Sequence, residues 1–221
     1  MRRTAALLAA ALLALAGCGG EAPEEAAGSV DPTVSSSTPP LAGGDRQRLG
    51  YASPEELAKE SPVVVLGTVA SWEDGPTLVL SEGGEEKDRI PYDVVLVDVD
   101  QVVKDTTKLV TGDQIAVPVR VDEGEPDPAE LAPPGSNVAF LGGADATFGV
   151  FGEADARIEP GGDVDPDSVL WGEPQGVVLE TPSGELVNAD PYSRAEIWPE
   201  IGELPAEEQF GMLAQRLMAL G

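Results

Sequence analysis

Apolar and polar residues alternate along several stretches of the chain, which is typical of strands that bury one face. The cleanest case is 115–121, in which every second residue is Ile or Val. The stretch 92–103 alternates similarly, with a valine face opposite a face that carries Asp98 and Asp100. Both stretches are predicted strands. Proline cannot donate to a ladder, so Pro118 places the first of them at a sheet edge or a bulge.

Further strands are predicted on both sides of this pair. An apolar run over 63–69 predicts a central strand, with a bulge or bend at Gly67. Residues 137–141 predict a short strand, and the runs 177–181 and 185–188 predict a hairpin around a Pro-Ser-Gly turn. A small β-barrel would accommodate these strands, because closure removes edges that otherwise promote aggregation.

Helices are predicted at both ends of the strand-rich region. A capping box from Ser53 to Glu56, with proline between them, begins a short helix that ends before Pro62. An amphipathic helix begins at Pro205 near the C-terminus. Its apolar stripe consists of Phe210, Leu213, Leu217 and Leu220. We interpret this stripe as packing on the domain, with a partner-binding helix as the alternative.

The N-terminus has a different pattern, with two arginines followed by about a dozen mostly apolar residues. A membrane-spanning helix needs about 20, so residues 1–17 are predicted to be a signal peptide. The next feature, Leu15-Ala16-Gly17-Cys18, resembles the lipobox of bacterial lipoproteins. This resemblance implies that diacylglycerol is attached to the thiol of Cys18 and that the chain is cleaved before it. The predicted location is the cell membrane, on its extracytoplasmic face.

A segment without apolar periodicity separates this anchor from the strands. Its residues are mostly Gly, Ala, Glu, Pro, Ser and Thr, so 18–48 is predicted to be a lipidated cysteine followed by a disordered tether. A flexible chain of this length reaches about 30 Å, which would lift the domain clear of the lipid head groups. Residues 49–221 are predicted to form a single globular, β-rich domain.

Composition narrows the possible functions. The 221 residues include 13 Lys and Arg against 40 Asp and Glu, a formal net charge of −27, which disfavours nucleic acid as a partner. Histidine is absent, and the single cysteine permits neither an intramolecular disulfide nor a thiolate metal cluster. We therefore predict a non-enzymatic protein without a cofactor.

The strand pattern carries a second resemblance. Four segments, at 65–69, 95–104, 112–117 and 135–141, are similar to a barrel module of uncharacterised secreted bacterial proteins. That module is related in shape to the oligonucleotide/oligosaccharide-binding (OB) fold, to tissue inhibitors of metalloproteinases and to netrin-type modules. The resemblance implies a small OB-like β-barrel with a short N-terminal helix and an amphipathic C-terminal helix. Protease inhibition is not implied, because those inhibitors use an N-terminal cysteine and disulfides.

Two acidic loops and one tryptophan are candidate binding features. Asp163, Asp165 and Asp167 alternate like the start of a calcium loop, but Ser168 and Pro174 stand where that loop needs glycine and glutamate. We interpret these acids as a solvated loop. The remaining candidates for partner binding are Trp171, Asp122, Glu123 and Glu125. We interpret Trp171 as a side chain that fills one end of the apolar core. We interpret the acids as a second solvated loop.

The sequence therefore favours a membrane-anchored, non-enzymatic extracytoplasmic lipoprotein with an acidic β-barrel domain. Its expected partners are the membrane, through Cys18, and an envelope protein or other envelope component. The alternative is a weak calcium-binding envelope protein. A carboxylate-dependent hydrolase of wall polymers comes last, since no apolar pocket is evident that would separate the pKa values of Asp98 and Asp100.

Overall fold

A computed structural model describes residues 50–143, 155–190 and 197–221, which belong to one compact unit. The predicted mainly β domain with flanking helices is confirmed. The described strands are β1 (Val63–Glu82), β2 (Glu85–Asp105), β3 (Gln114–Arg120), β4 (Asn137–Gly143), β5 (Asp155–Glu159), β6 (Trp171–Glu180) and β7 (Leu186–Asn188). The described helices are α1 (Pro54–Glu60), α2 (Pro128–Leu131), α3 (Pro199–Gly202) and α4 (Ala206–Met218). The predicted signal peptide, Cys18 and the tether lie outside the described residues.

A long β1–β2 hairpin is the largest element of the fold. Its turn places Gly83 and Gly84 at φ values of 60° and 83°, a left-handed pair that suits tight hairpins. The predicted bulge at Gly67 is confirmed by a shift of pairing register between Leu66 and Gly67. A Cβ atom at Gly67 would lie 2.2 Å from the carbonyl oxygen of Asp98, so only glycine fits there.

The strands form an antiparallel sheet in the order β3-β2-β1-β4-β6-β7, with β5 pairing to the outer part of β1. β3 lies at an edge of this order, as Pro118 predicted. Among the described residues, the predicted closure into a barrel is not observed, because a single parallel bridge, Ala116 with Val169, links β3 to the chain before β6. Pro118, two residues further along β3, has no N–H to extend that bridge. The finer OB-like likeness stays a prediction.

Apolar side chains pack on both faces of the sheet. One cluster is built almost entirely from the strands and includes Val65, Val95, Val117 and Phe140. A second cluster lies between the other face and the helices. Its fully buried members include Leu57, Leu141, Ile201, Leu213 and Leu217. The helices therefore cover a sheet face that would otherwise expose apolar surface.

The terminal helices follow the predicted signals, with one correction. The Ser53 hydroxyl accepts a hydrogen bond from the Glu56 N–H at 3.2 Å, which confirms the cap of α1. In α4 the predicted packing is confirmed for Leu213 and Leu217, both fully buried. The inclusion of Leu220 in the stripe is wrong, because α4 ends at Met218 and Leu220 lies exposed beyond it.

Candidate functional site

The acidic loop around Asp165 lies exposed at the surface before β6. Asp163, Asp165 and Asp167 are all exposed. The Asp165 carboxylate accepts a hydrogen bond from the Asp167 N–H at 3.0 Å and so caps a short 3-10 turn, Pro166–Ser168. In the described part of the chain, no three Asp, Glu, His or Cys residues converge so that they could hold a metal ion.

Trp171 belongs to the core rather than to the surface. Only 4% of this residue is exposed, and its ring meets that of Tyr92 edge to face, with centroids 5.0 Å apart. Val94 and Val169 complete the same apolar cluster. The structure thus agrees with the interpretation of Trp171 as a core residue. Little of its indole ring is available to a partner.

The acidic loop that contains Asp122, Glu123 and Glu125 connects β3 to α2. Asp122 is half-buried and pairs with the Arg120 guanidinium at 2.7 Å, so its charge is balanced within the domain. Glu123 and Glu125 are exposed. Glu123 therefore lies at the surface of this loop, where a partner could contact it.

A second group of carboxylates, which the sequence analysis missed, surrounds Asp93. Asp93 alternates in phase with Val95 and Val97, so it continues the buried face of β2 beyond the valines. It pairs in register with Asp74 of β1. Burial, followed by the negative charges of Asp127 and Asp74, raises the pKa of Asp93. These carboxylates make the region strongly negative. The sequence signal for the burial of Asp93 was its alternation in phase with the valines of β2.

A third arrangement lies where the described chain begins. The Tyr51 N–H donates to Gln175 Oε1 at 2.6 Å, and the Trp198 indole N–H donates to the Tyr51 carbonyl oxygen at 3.0 Å. Gln175 and Trp198 are far from Tyr51 in sequence. Both residues are almost fully buried. The backbone of Tyr51 is therefore held on both sides.

A bulge in β6 positions Gln175 for this contact. The β4–β6 register passes from Phe140 opposite Val177 to Gly142 opposite Gly172, so four residues of β6 bulge opposite a single residue of β4. Gly176 closes the bulge so tightly that a Cβ atom there would lie 2.0 Å from the Leu141 carbonyl oxygen. Sequence periodicity gave no sign of this bulge, because the contacts that define it are long-range.

Glu173 in the same bulge is half-buried, and burial raises the pKa of its carboxyl group. The pKa of Tyr51 is also raised, first by burial and then by the negative charges of Glu173, Glu60 and Glu56. A carboxyl group with a raised pKa takes up a proton at a higher pH than an ordinary glutamate does. The carboxyl group of Glu173 therefore loses its negative charge at a higher pH than an ordinary glutamate does.

The basic residues of the domain are largely engaged in internal contacts. Every arginine in residues 50–143, 155–190 and 197–221 has a carboxylate partner; these arginines are Arg89, Arg120, Arg157 and Arg216. Lys104 donates to two backbone carbonyl oxygens of the α1 region, at 2.9 and 2.8 Å. The surplus of acidic side chains therefore dominates the electrostatic field of the surface.

Comparison of the chain with protein-family models, with curated proteins and with solved structures finds no match in any of the three. Among the described residues, no helix is both long and apolar enough to cross a bilayer.

Proposed function

We propose that the protein is a membrane-anchored, non-enzymatic extracytoplasmic lipoprotein whose acidic β domain binds a basic protein or other basic component of the cell envelope. The proposal of a lipid anchor rests on one observation, the sequence Leu15-Ala16-Gly17-Cys18 directly after a short apolar segment. The thiol of Cys18 would supply the nucleophilic sulfur for acylation, and the segment after it would serve as a spacer.

The charge of the domain supports a basic partner. Internal ion pairs engage the described arginines, while exposed acids such as Asp100 and Glu123 face the solvent. Such a surface attracts positively charged partners and repels nucleic acid and anionic lipid head groups. Calcium binding is not proposed, because the loop that suggested it is exposed and uses Asp165 to cap a turn.

The anchor can be tested by replacing Cys18 with alanine. We expect this variant to accumulate as unprocessed precursor without lipid, because the side chain that accepts the lipid is gone. Metabolic labelling with an alkyne fatty acid, followed by gel analysis, measures both the label and the size of the chain. Ser36→Ala in the tether serves as the matched control and should label normally. Equal labelling of the wild type and Cys18→Ala would rule out this anchor.

The partner can be tested by cross-linking in native cells. We expect the full-length protein to form a specific cross-linked species whose yield decreases at high salt, because the Debye length contracts from about 10 Å at 0.1 M to about 3 Å at 1 M. A chimera that carries residues 1–48 on an unrelated neutral domain should lose this species while remaining at the membrane. Retention of the same species by the chimera would contradict a binding role for the acidic domain.

A further inference from the structure

Charged side chains on the outer part of the β1–β2 hairpin and on β5 form a closed ring of ion pairs. We call this ring the ionic clasp, and its members are Glu86, Arg89, Arg157 and Glu159. Arg89 pairs with Glu159, and it pairs with Glu86 at 3.3 Å. Arg157 pairs with the same two carboxylates, at 2.7 Å with Glu159 and at 3.5 Å with Glu86. Each charge of the ring therefore has two neighbours of the opposite sign.

The ionic clasp joins two strands that are not neighbours in the sheet. Glu86 and Arg89 belong to β2, whereas Arg157 and Glu159 belong to β5. β1 runs between these strands, and its residue Val79 lies in register with Arg89 on one side and with Arg157 on the other. The ring therefore reaches across β1 and ties β5 to β2 through side chains, in addition to the backbone pairing of β5 with β1.

β5 is a short strand at the margin of the sheet. It has five residues, which pair with residues 77–81 of β1, and it lies off the main strand order. On the face opposite the clasp, the half-buried Ile158 packs against a small apolar cluster formed by Leu78, Leu80 and Ile90. Short marginal elements of this kind open locally at a lower free energy than global unfolding requires. The ion pairs of the clasp therefore weigh more in β5 than they would in the central sheet.

We propose that the ionic clasp is a salt-sensitive fastening, which holds β5 on the hairpin at low ionic strength and lets it detach locally more often at high ionic strength. The four side chains of the clasp are between 34% and 57% exposed, so dissolved ions reach all of them. The Debye length contracts from about 10 Å at 0.1 M salt to about 3 Å at 1 M, which is close to the separation within each pair. Added salt therefore weakens the attraction around the ring.

The rest of the domain should respond to salt in the opposite direction. The chain has a formal net charge of −27, and salt screens the repulsion between its many like charges. The central sheet should therefore keep or gain stability as the ionic strength rises, while β5 loses it. These opposite signs distinguish local detachment of β5 from a general weakening of the fold.

Detachment of β5 would leave residues 77–81 of β1 without their partner on that side, which creates an unpaired strand edge. In an extracytoplasmic protein, the ionic strength of the surroundings would set how often this edge is open. This consequence rests on the proposed location of the protein, whereas the salt sensitivity of the clasp does not.

Hydrogen exchange of the full-length protein in detergent micelles at constant pH tests the clasp. Mass spectrometry measures the protection factors of two segments, residues 155–159 of β5 and residues 137–143 of β4, corrected for the intrinsic exchange rate. We expect the protection factor of β5 to decrease about twofold to fivefold between about 0.1 M and about 1 M sodium chloride, the factor that an exposed ion pair typically contributes. The protection factor of β4 should stay constant or increase.

Two variants make the result specific. Glu159→Gln removes the ion pairs of Glu159 with Arg89 and Arg157, so it should lower β5 protection at low salt and flatten its response to salt. Lys87→Gln is the matched control, because it removes an exposed ion pair with Glu85 on β2 outside the ring and should behave like the wild type.

Three results would overturn the proposal. The first is a wild-type β5 segment whose protection does not decrease with salt. The second is a salt response in Glu159→Gln as large as that of the wild type. The third is an equal loss of protection in β5 and β4, because the opening would then not be local. None of these results depends on lipidation or on a partner, so the anchor is tested separately.

Discussion

Replacing Leu213 with alanine should lower the free energy of unfolding by about 2–5 kcal/mol, the usual range for a buried leucine. Leu213 is fully buried in the cluster between the sheet and the helices, together with Leu57 and Ile201. Alanine would leave a cavity against the facing side chains, because α1 and α3 are held by their own contacts. A domain of this size is typically stable by about 5–15 kcal/mol, so the loss is a large share of the total.

Urea unfolding of the wild type and the variant measures this loss. The matched control is Met212→Ala on the neighbouring position of α4, where the side chain is 37% exposed. Its midpoint should stay close to that of the wild type, since it removes far less buried apolar surface. Equal midpoints for Leu213→Ala and Met212→Ala would mean that the stripe of α4 does not stabilise the domain.

Local patterns predicted the type of most described elements, but they made β1, β2 and β6 too short and did not predict α2, α3 or β5. β3 and β4 were found where alternation or apolar runs are uninterrupted, and the cap of α1 was found from Ser53. β1 and β2 run far beyond the predicted 63–69 and 92–103, to a turn at Gly83. Their outer halves are rich in charged residues, and successive register shifts break the period of two. Only the pairing between strands reveals that these residues are extended.

The candidate sites also divide into those that local sequence predicts and those that depend on long-range contacts. Exposed loops such as the one around Asp165 could be placed from composition, because loops of that kind lie at the surface. The contact of Tyr51 with Gln175 spans 124 residues and depends on a bulge, so no local pattern contains it. Asp93 had a signal in its phase with Val95, but the nearby charge of Asp127 comes from a separate helix cap.

Gln209 is a further residue that the sequence did not single out, and its side chain bonds to the backbone at an edge of the sheet. Only 5% of this residue is exposed, and its side chain makes three hydrogen bonds to backbone groups. Its Oε1 accepts from the Leu186 N–H of β7 at 2.8 Å. Its Nε2 donates to the carbonyl oxygens of Gly202 and Leu204 at 3.2 and 2.9 Å. α4 thus supplies the partner that the end strand of the sheet would otherwise lack.

Gln209→Leu should therefore destabilise the domain although it adds apolar surface to a helix. The buried Leu186 N–H would cost about 1–3 kcal/mol without an acceptor. Gln215→Leu makes the same replacement at an exposed position of α4 and should change the unfolding midpoint little. Thermal and urea unfolding of both variants measure the difference. Faster exchange of the Leu186 amide in Gln209→Leu, but not in Gln215→Leu, would show that the lost hydrogen bond is the one at the β7 edge. Equal stability of the two variants would contradict this role of Gln209.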